Sequence, residues 1–357
     1  MTRRPSISRR TFIKLSATLA AGATLASCSP AKGTSTPPEV NPTVSKPTLP
    51  ASPTAGMAAA GTNPSEPTPG ATSPPETAST SPETMATHSP AYMSVVHGPD
   101  PAMITRAAVD ALGGMASFTK PGYDVIIKPN ICTDYHPPEY ATTTNPTVVA
   151  TLVTMCLEAG AKRVRVMDYP FGGTAKSAYE TSGIKDAVEA AGGEMHVMSQ
   201  AKYTKVEIPQ GQDITSVEIY PDILEADLLL NVPIAKSHGS TKLTLAEKNL
   251  MGVILDRNMM HFNLSQRIAD LTSLVMPELT VIDAVRILTD HGPTGGDLAD
   301  VKQTDTVIAS RDIVAADAYA TTLFGMTGND IGYIKASAKM GLGTMDLSGI
   351  DIREISL

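Results

Sequence analysis

Tryptophan is absent from the 357 residues, aromatic side chains make up only 4% of them, and there are 3 cysteines. Few flat rings are therefore available for stacking, which argues against a dedicated sugar-binding module. Beyond Cys28, the thiols of Cys132 and Cys156 are too few for a four-cysteine iron–sulfur or zinc centre. No iron–sulfur cluster is expected, and the nature of any other cofactor stays open. In an oxidising compartment the two thiols could pair as a disulfide, although Cys156 falls on an apolar helical stripe and reads as core. No GxSxG elbow or HExxH helix occurs, which removes two common hydrolytic signatures. Basic residues are also few, 28 against 36 acidic ones. Without a basic stripe, nucleic acid is not an expected partner.

What is present is most distinctive near the start. SRRTFIK (residues 8–14) carries Arg9 and Arg10 just ahead of Phe12, and an Ala/Gly/Thr-rich apolar run follows over 15–26. That run is too short for a comfortable membrane span, and it ends in LASC (residues 25–28). The pattern predicts a twin-arginine lipoprotein signal peptide over 1–27, read by the twin-arginine export machinery, with a lipidated Cys28 holding the mature chain to a membrane. Removing Arg3, Arg4, Arg9, Arg10 and Lys14 leaves 23 basic against 36 acidic residues, a net charge of −13. The expected location is extracytoplasmic and membrane-anchored, at the cell surface or in the periplasm. Residues 28–90 hold 14 of the 28 prolines and almost no large apolar side chains. Such a segment cannot offset its ordering entropy by burial, so it reads as a disordered linker.

Residues 91–357 read as a single α/β domain, a mostly parallel sheet with helices on both faces, beyond the disordered N-terminal stalk. Strands are predicted at YDVIIKPN (123–130), RVRVMD (163–168), DLLLNVP (227–233), LTVID (279–283) and TVIAS (306–310). Asn145 before Pro146 marks a helix start and Gly160 its end. Further helices are expected over 183–191, 244–255, 265–275, 313–324 and 330–340. KVEIP and SVEIY, on either side of Gly211, read as an antiparallel hairpin or a small insertion. In an open parallel sheet, ligands bind beyond the carboxyl ends of the strands. Lys128, Asn130, Asp168, Asn231 and Asp283 each close a predicted apolar strand, so they are expected to converge there.

AKSHGSTKLTLAEKNLMG (235–252) is the densest candidate chemistry. Lys236 and His238 are expected in a loop, with Lys248 and Asn249 on the non-apolar face of the next helix. Lysines beside a helix start suit an anion, and lysine with histidine suits proton transfer if burial lowers the lysine pKa. A solvated lysine-rich helix start is the plain alternative. His238, His261 and His291, with Asp283, are candidate metal ligands, although their spacing fits no compact motif. HGPTGGD (291–297) and FGGT (171–174) are Gly turns at the same expected edge.

IIKPN, TTTNP, KSH, the KNLMG stretch, VID, HGPTGG, ASRDIVAADAY and MGLG occur in an order that resembles the domain-of-unknown-function 362 family, over nearly the whole globular part. Some members carry a ferredoxin-like module with two four-cysteine clusters, whose cysteines this chain lacks. The resemblance implies Lys128, Asn130, Lys236, His238, Lys248, Asn249, Asp283 and Asp317 as site residues and names no reaction. Two functions follow as expectations. One is an anchored enzyme for a small anionic molecule, with Lys128, Asn130, Lys236, Asn249 and Asp317 binding it and His238, Asp283 and Lys248 catalytic. The other is a non-catalytic solute- or cofactor-binding lipoprotein.

Overall fold

Caps and apolar runs set where each element begins. The computed structural model describes residues 92–357; the signal segment, Cys28 and the linker lie outside the described residues. Strand β1 (Met93–His97) precedes α1 (Pro101–Ala111), whose first amides are capped by Asp100, with Pro101 supplying a helical φ. Strand β2 (Asp124–Pro129) leads to α2 (Pro146–Glu158), which starts where the sequence places it, Asn145 Oδ1 accepting from the Thr147 amide at 2.9 Å. Then come β3 (Arg163–Val166), α3 (Ala175–Thr181), α4 (Ile184–Ala190) and β4 (Glu194–Met195). Strands β5 (Thr204–Glu207) and β6 (Ser216–Ile219) form the expected hairpin as a separate antiparallel pair. The chain continues through α5 (Asp222–Glu225), β7 (Leu228–Val232), β8 (Ile234–His238), β9 (Lys242–Thr244) and α6 (Ala246–Asn249). It ends with α7 (Leu264–Val275), β10 (Leu279–Leu288), β11 (Val301–Ser310), α8 (Ile313–Ala320), α9 (Gly332–Lys339) and β12 (Ile352–Ser356).

The main sheet runs β12-β1-β11-β10-β7-β2-β3-β4, with β8 on β10 and β9 on β8. From β10 to β4 every neighbour is parallel, whereas β11 is antiparallel to both β10 and β1. Each central strand is buried on both faces. Ile126, Leu229 and Ile282 point into a core built with α7, α8 and α9, while Val125, Ile127, Leu230 and Val281 point into a core built with α1, α2 and α4. Two-sided burial is why these strands read as continuous apolar runs.

Several expectations change. Lys236 and His238 are not in a loop: β8 runs along β10 just beyond β7, separated from it by Pro233, whose carbonyl accepts from the Asp283 amide. Proline has no N–H for a ladder, so the strand breaks there and resumes. The helix expected over 244–255 is only α6 followed by a 3₁₀ turn at Leu250–Val253. Helix 313–324 likewise ends as α8 and a 3₁₀ turn at Thr321–Phe324. Strand β10 continues to Leu288, which places Asp283 in mid-strand.

Candidate functional site

Beyond the carboxyl ends of β2 and β3, and against β8 and α6, lies a cavity of about 490 Å³. Parallel pairing puts Lys128 beside Asn231, and the β3 chain carries on past Val166 to Asp168. Lys128 Nζ pairs with Asp168 Oδ1 at 2.7 Å and donates to Asn249 Oδ1 at 3.0 Å and to its neighbour's carbonyl, Pro129 O, at 2.8 Å. Burial lowers the Lys128 pKa, opposed by Asp168. Asp168 also accepts from the Ile131 and Tyr169 amides. An amide relay joins these groups: Asn231 Oδ1 accepts from Asn249, whose Oδ1 accepts from Asn130, whose Oδ1 accepts from Lys236 Nζ at 2.9 Å. Gly252 has to be glycine here, because a Cβ would fall 1.9 Å from Asp168 Oδ1.

Lys236 is fully buried, and its amino group is held by Asn130, by the Thr142 and Pro293 carbonyls at 2.6 and 2.8 Å, and by Cys132 Sγ at 3.4 Å. Pro293 reaches it because Gly292 lies directly against Ser237, where a Cβ would fall 1.8 Å from the Ser237 carbonyl oxygen. This gives the HGPTGGD turn a local purpose. Cys132 and Cys156 are both buried free thiols, so the disulfide is not formed. Burial raises the Cys156 thiol to about 12.

Lys248 differs from the other two lysines. Its side chain is 8% exposed and lines the cavity, yet among the described residues the partner of its Nζ is only Met251 Sδ at 3.7 Å. Burial, then the charges of Lys236 and Arg257, lower its pKa to about 8. Arg257 donates through Nε to Met251 O at 2.9 Å and through Nη2 to Tyr169 O, and it lies over the Tyr169 ring. Among the described residues its Nη1 has no oxygen partner. Thr244 Oγ1, also on the cavity wall, is buried without a partner. His238 Nδ1 accepts from the Ser240 amide at 3.0 Å, so a neutral ring carries its proton on Nε2. Burial, then the charges of Lys248 and Lys236, lower its pKa to about 3, which keeps the ring neutral near pH 7. An anion entering here would meet several unused donors and only one wall carboxylate, Asp168, which is already spent on Lys128.

A model of the domain of unknown function DUF362 matches residues 125–322. The chain belongs to this family. A thylakoid-associated protein of Synechocystis sp. is 25% identical over 246 residues, which span 66% of this chain and 74% of that protein. The lactate racemase apoprotein of Thermoanaerobacterium thermosaccharolyticum aligns with a TM-score of 0.41 at 13% identity, covering 64% of this chain and 56% of that one.

Within this DUF362 domain, Lys128, Asn130, Lys236, His238, Lys248 and Asn249 all line the one cavity, as does His261. Asp283 and Asp317 do not. Asp283 accepts from the Asn145 amide at 2.7 Å, fixing the start of α2, and from Val285; burial raises its pKa to about 6. Asp317 accepts from the Ala246 and Glu247 amides, fixing the start of α6 from behind. His291 is exposed and paired with Asp300 at 2.7 Å, so the expected set of His238, His261, His291 and Asp283 is not gathered. Arg257 and Thr244 were not anticipated. The only hint was a charged Asp256–Arg257 pair interrupting apolar sequence, a signal too weak to single out. A second groove of about 560 Å³ beside α1 and α2 carries Arg106 and Asp110 as its charged side chains.

Proposed function

We propose that the DUF362 domain binds a small organic anion in the Lys248 cavity and acts on it as an enzyme. One observation carries this reading: Lys248 keeps an ammonium group nine-tenths buried and, among the described residues, without an oxygen partner, beside Lys236 and Arg257. A buried charge of that kind is costly unless something pairs with it, and a bound anion is the natural partner. Lys128 and Lys236 contribute positive field, since their hydrogen bonds are spent on the protein. Lys248 and Arg257 supply the direct contacts, and the His238 Nε2–H donates to an oxygen of the ligand. Lys248 titrates near the working pH, as a proton-transfer group should. Asp283 and Asp317 serve as positioning residues for α2 and α6.

The reading includes export and anchoring: the twin-arginine segment, a lipidated Cys28 and the 28–90 linker would hold the domain outside the cytoplasm. The thylakoid association of the Synechocystis relative favours a membrane context. Cys28→Ser should release the protein from the membrane fraction without changing its fold.

The site is tested by a thermal-shift titration with propionate, succinate and inorganic phosphate. An anion at 100 times its Kd should stabilise the wild type by about 2.7 kcal/mol, and Lys248→Met should cut that to about 0.9 kcal/mol or less at the same concentration. Equal stabilisation of both proteins would refute the site. Stoichiometric retention of an anion with no turnover would make this a binding protein instead.

A further inference from the structure

The anion reading leaves the nucleophilicity of Lys248 unused. Its amino group lines the cavity, has no hydrogen-bonded oxygen among the described residues, and sits next to cationic neighbours on two other elements, Lys236 from β8 and Arg257 from the segment after α6. Cys132 is the group whose charge would act in the opposite direction. The His238 ring, neutral with its proton on Nε2, also faces the cavity and is suited to donate to a carbonyl oxygen without giving up that proton. A free buried amine, a neutral donor and further cations are the components needed to hold an oxo-acid by its negative group and attack its carbonyl carbon.

The geometry points to Lys248 as a covalent amine catalyst that forms an imine with the aldehyde or keto group of a small anion. This deepens the anion-site reading and rests on it. In the step, the lone pair of Nζ bonds to the carbonyl carbon while His238 hydrogen-bonds the oxygen. Both amine protons then leave with that oxygen as water, so a C=N bond replaces the C=O bond and no oxidant or reductant is needed. The imine, once protonated from solvent, draws electrons from the adjacent carbon, which eases breakage of a bond there. At pH 7 an amine titrating near 8 has a free-base fraction about two orders of magnitude above that of an ordinary lysine.

The test treats the whole folded protein with glyoxylate or with pyruvate in the presence of borohydride, which reduces an imine to a stable secondary amine, and maps the adduct by peptide mass spectrometry. Labelling is expected first at Lys248, at least about tenfold faster than at any exposed lysine. The rate should climb with pH until about 8 and level off. Lys248→Arg, which keeps a cation but lacks the amine, and Lys248→Met should both lose the adduct. Labelling spread over exposed lysines and unchanged in either variant overturns the proposal. Thermal stabilisation by propionate separates the two claims: stabilisation without a Lys248 adduct overturns the imine and leaves the anion site standing, and neither effect overturns both.

Discussion

Glu247 and Lys248 are adjacent in sequence on α6 yet serve two buried regions of opposite character. On the cavity side, Lys248, Lys236 and Arg257 bring positive charge and the carboxylate of Asp168 is taken up by Lys128. Behind the helix, Glu247 and Asp317 lie fully buried with Asp312 nearby, and among the described residues no cation pairs with either of the first two. Ser337 donates to Glu247 Oε2, and the Thr272 hydroxyl also favours its charged form, while Oε1 has no hydrogen-bond partner of good geometry among the described residues. Burial first, then like charge, raises both carboxyls: Asp317 and Asp312 act on Glu247, and Asp312 acts on Asp317, which is raised to about 8. The two regions solve the same problem differently. The acidic one keeps its groups neutral by holding protons and ties Asp317 to two helix-start amides. The cationic one leaves a donor open, a costly arrangement for stability and a useful one for a ligand.

Breaking the open side should have the largest effect. Lys248→Met should cut anion affinity by at least about 30-fold, the loss expected for one desolvated charge contact. It should also stabilise the free protein, because depressing the pKa from 10.5 to about 8 corresponds to about 3 kcal/mol against the charged form. Calorimetric titration and thermal unfolding read the two effects, and a loss of both affinity and stability would show Lys248 to be structural.

Next comes the closed side. Asp317→Ala leaves the Ala246 and Glu247 amides unpaired and should cost about 2–4 kcal/mol by denaturant unfolding. Because the folded pKa of Asp317 lies above the unfolded value, its stabilising effect is complete below about pH 4 and is lost as pH rises through about 8. Wild-type stability should therefore fall over that interval, and Glu247→Gln should flatten the fall by removing a second buried carboxyl whose pKa is raised. An unchanged slope would contradict the shared-burial account.

Asp283→Asn should lower stability by about 1–2 kcal/mol through the α2 start and leave anion affinity within about twofold. The smallest effect is expected at His291, whose exposed side chain pairs with Asp300 and does not line the cavity. His291→Ala should change neither affinity nor melting temperature.

Much of the sheet could be read from the chain because two-sided burial writes itself as uninterrupted apolar runs, as at Ile126–Ile127 and Leu228–Leu230. Strand β1 and helix α1 were missed: their pattern is short, and the partner that makes β1 a strand, β11, lies over two hundred residues away. Lys128, Asn130 and Asp168 could be placed at one edge because parallel strands share an end. Asp283 could not be excluded from it, since LTVID gives no sign that the strand continues to Leu288. Asp317 came with the family pattern, which does not separate a group that touches a ligand from one that holds a helix start. The unused donors of Lys248, Arg257 and Thr244 depend on what each side chain fails to meet, and only three dimensions reveal that.

The central claim is that Lys248 is an unpaired, buried ammonium awaiting an anion. Resonance titration of the protein with isotope-labelled lysine tests it directly. One lysine, lost in Lys248→Met, should titrate near pH 8 in the free protein and shift upward when a bound carboxylate saturates the site. A Lys248 signal that titrates with the surface lysines and ignores added anion would contradict the account.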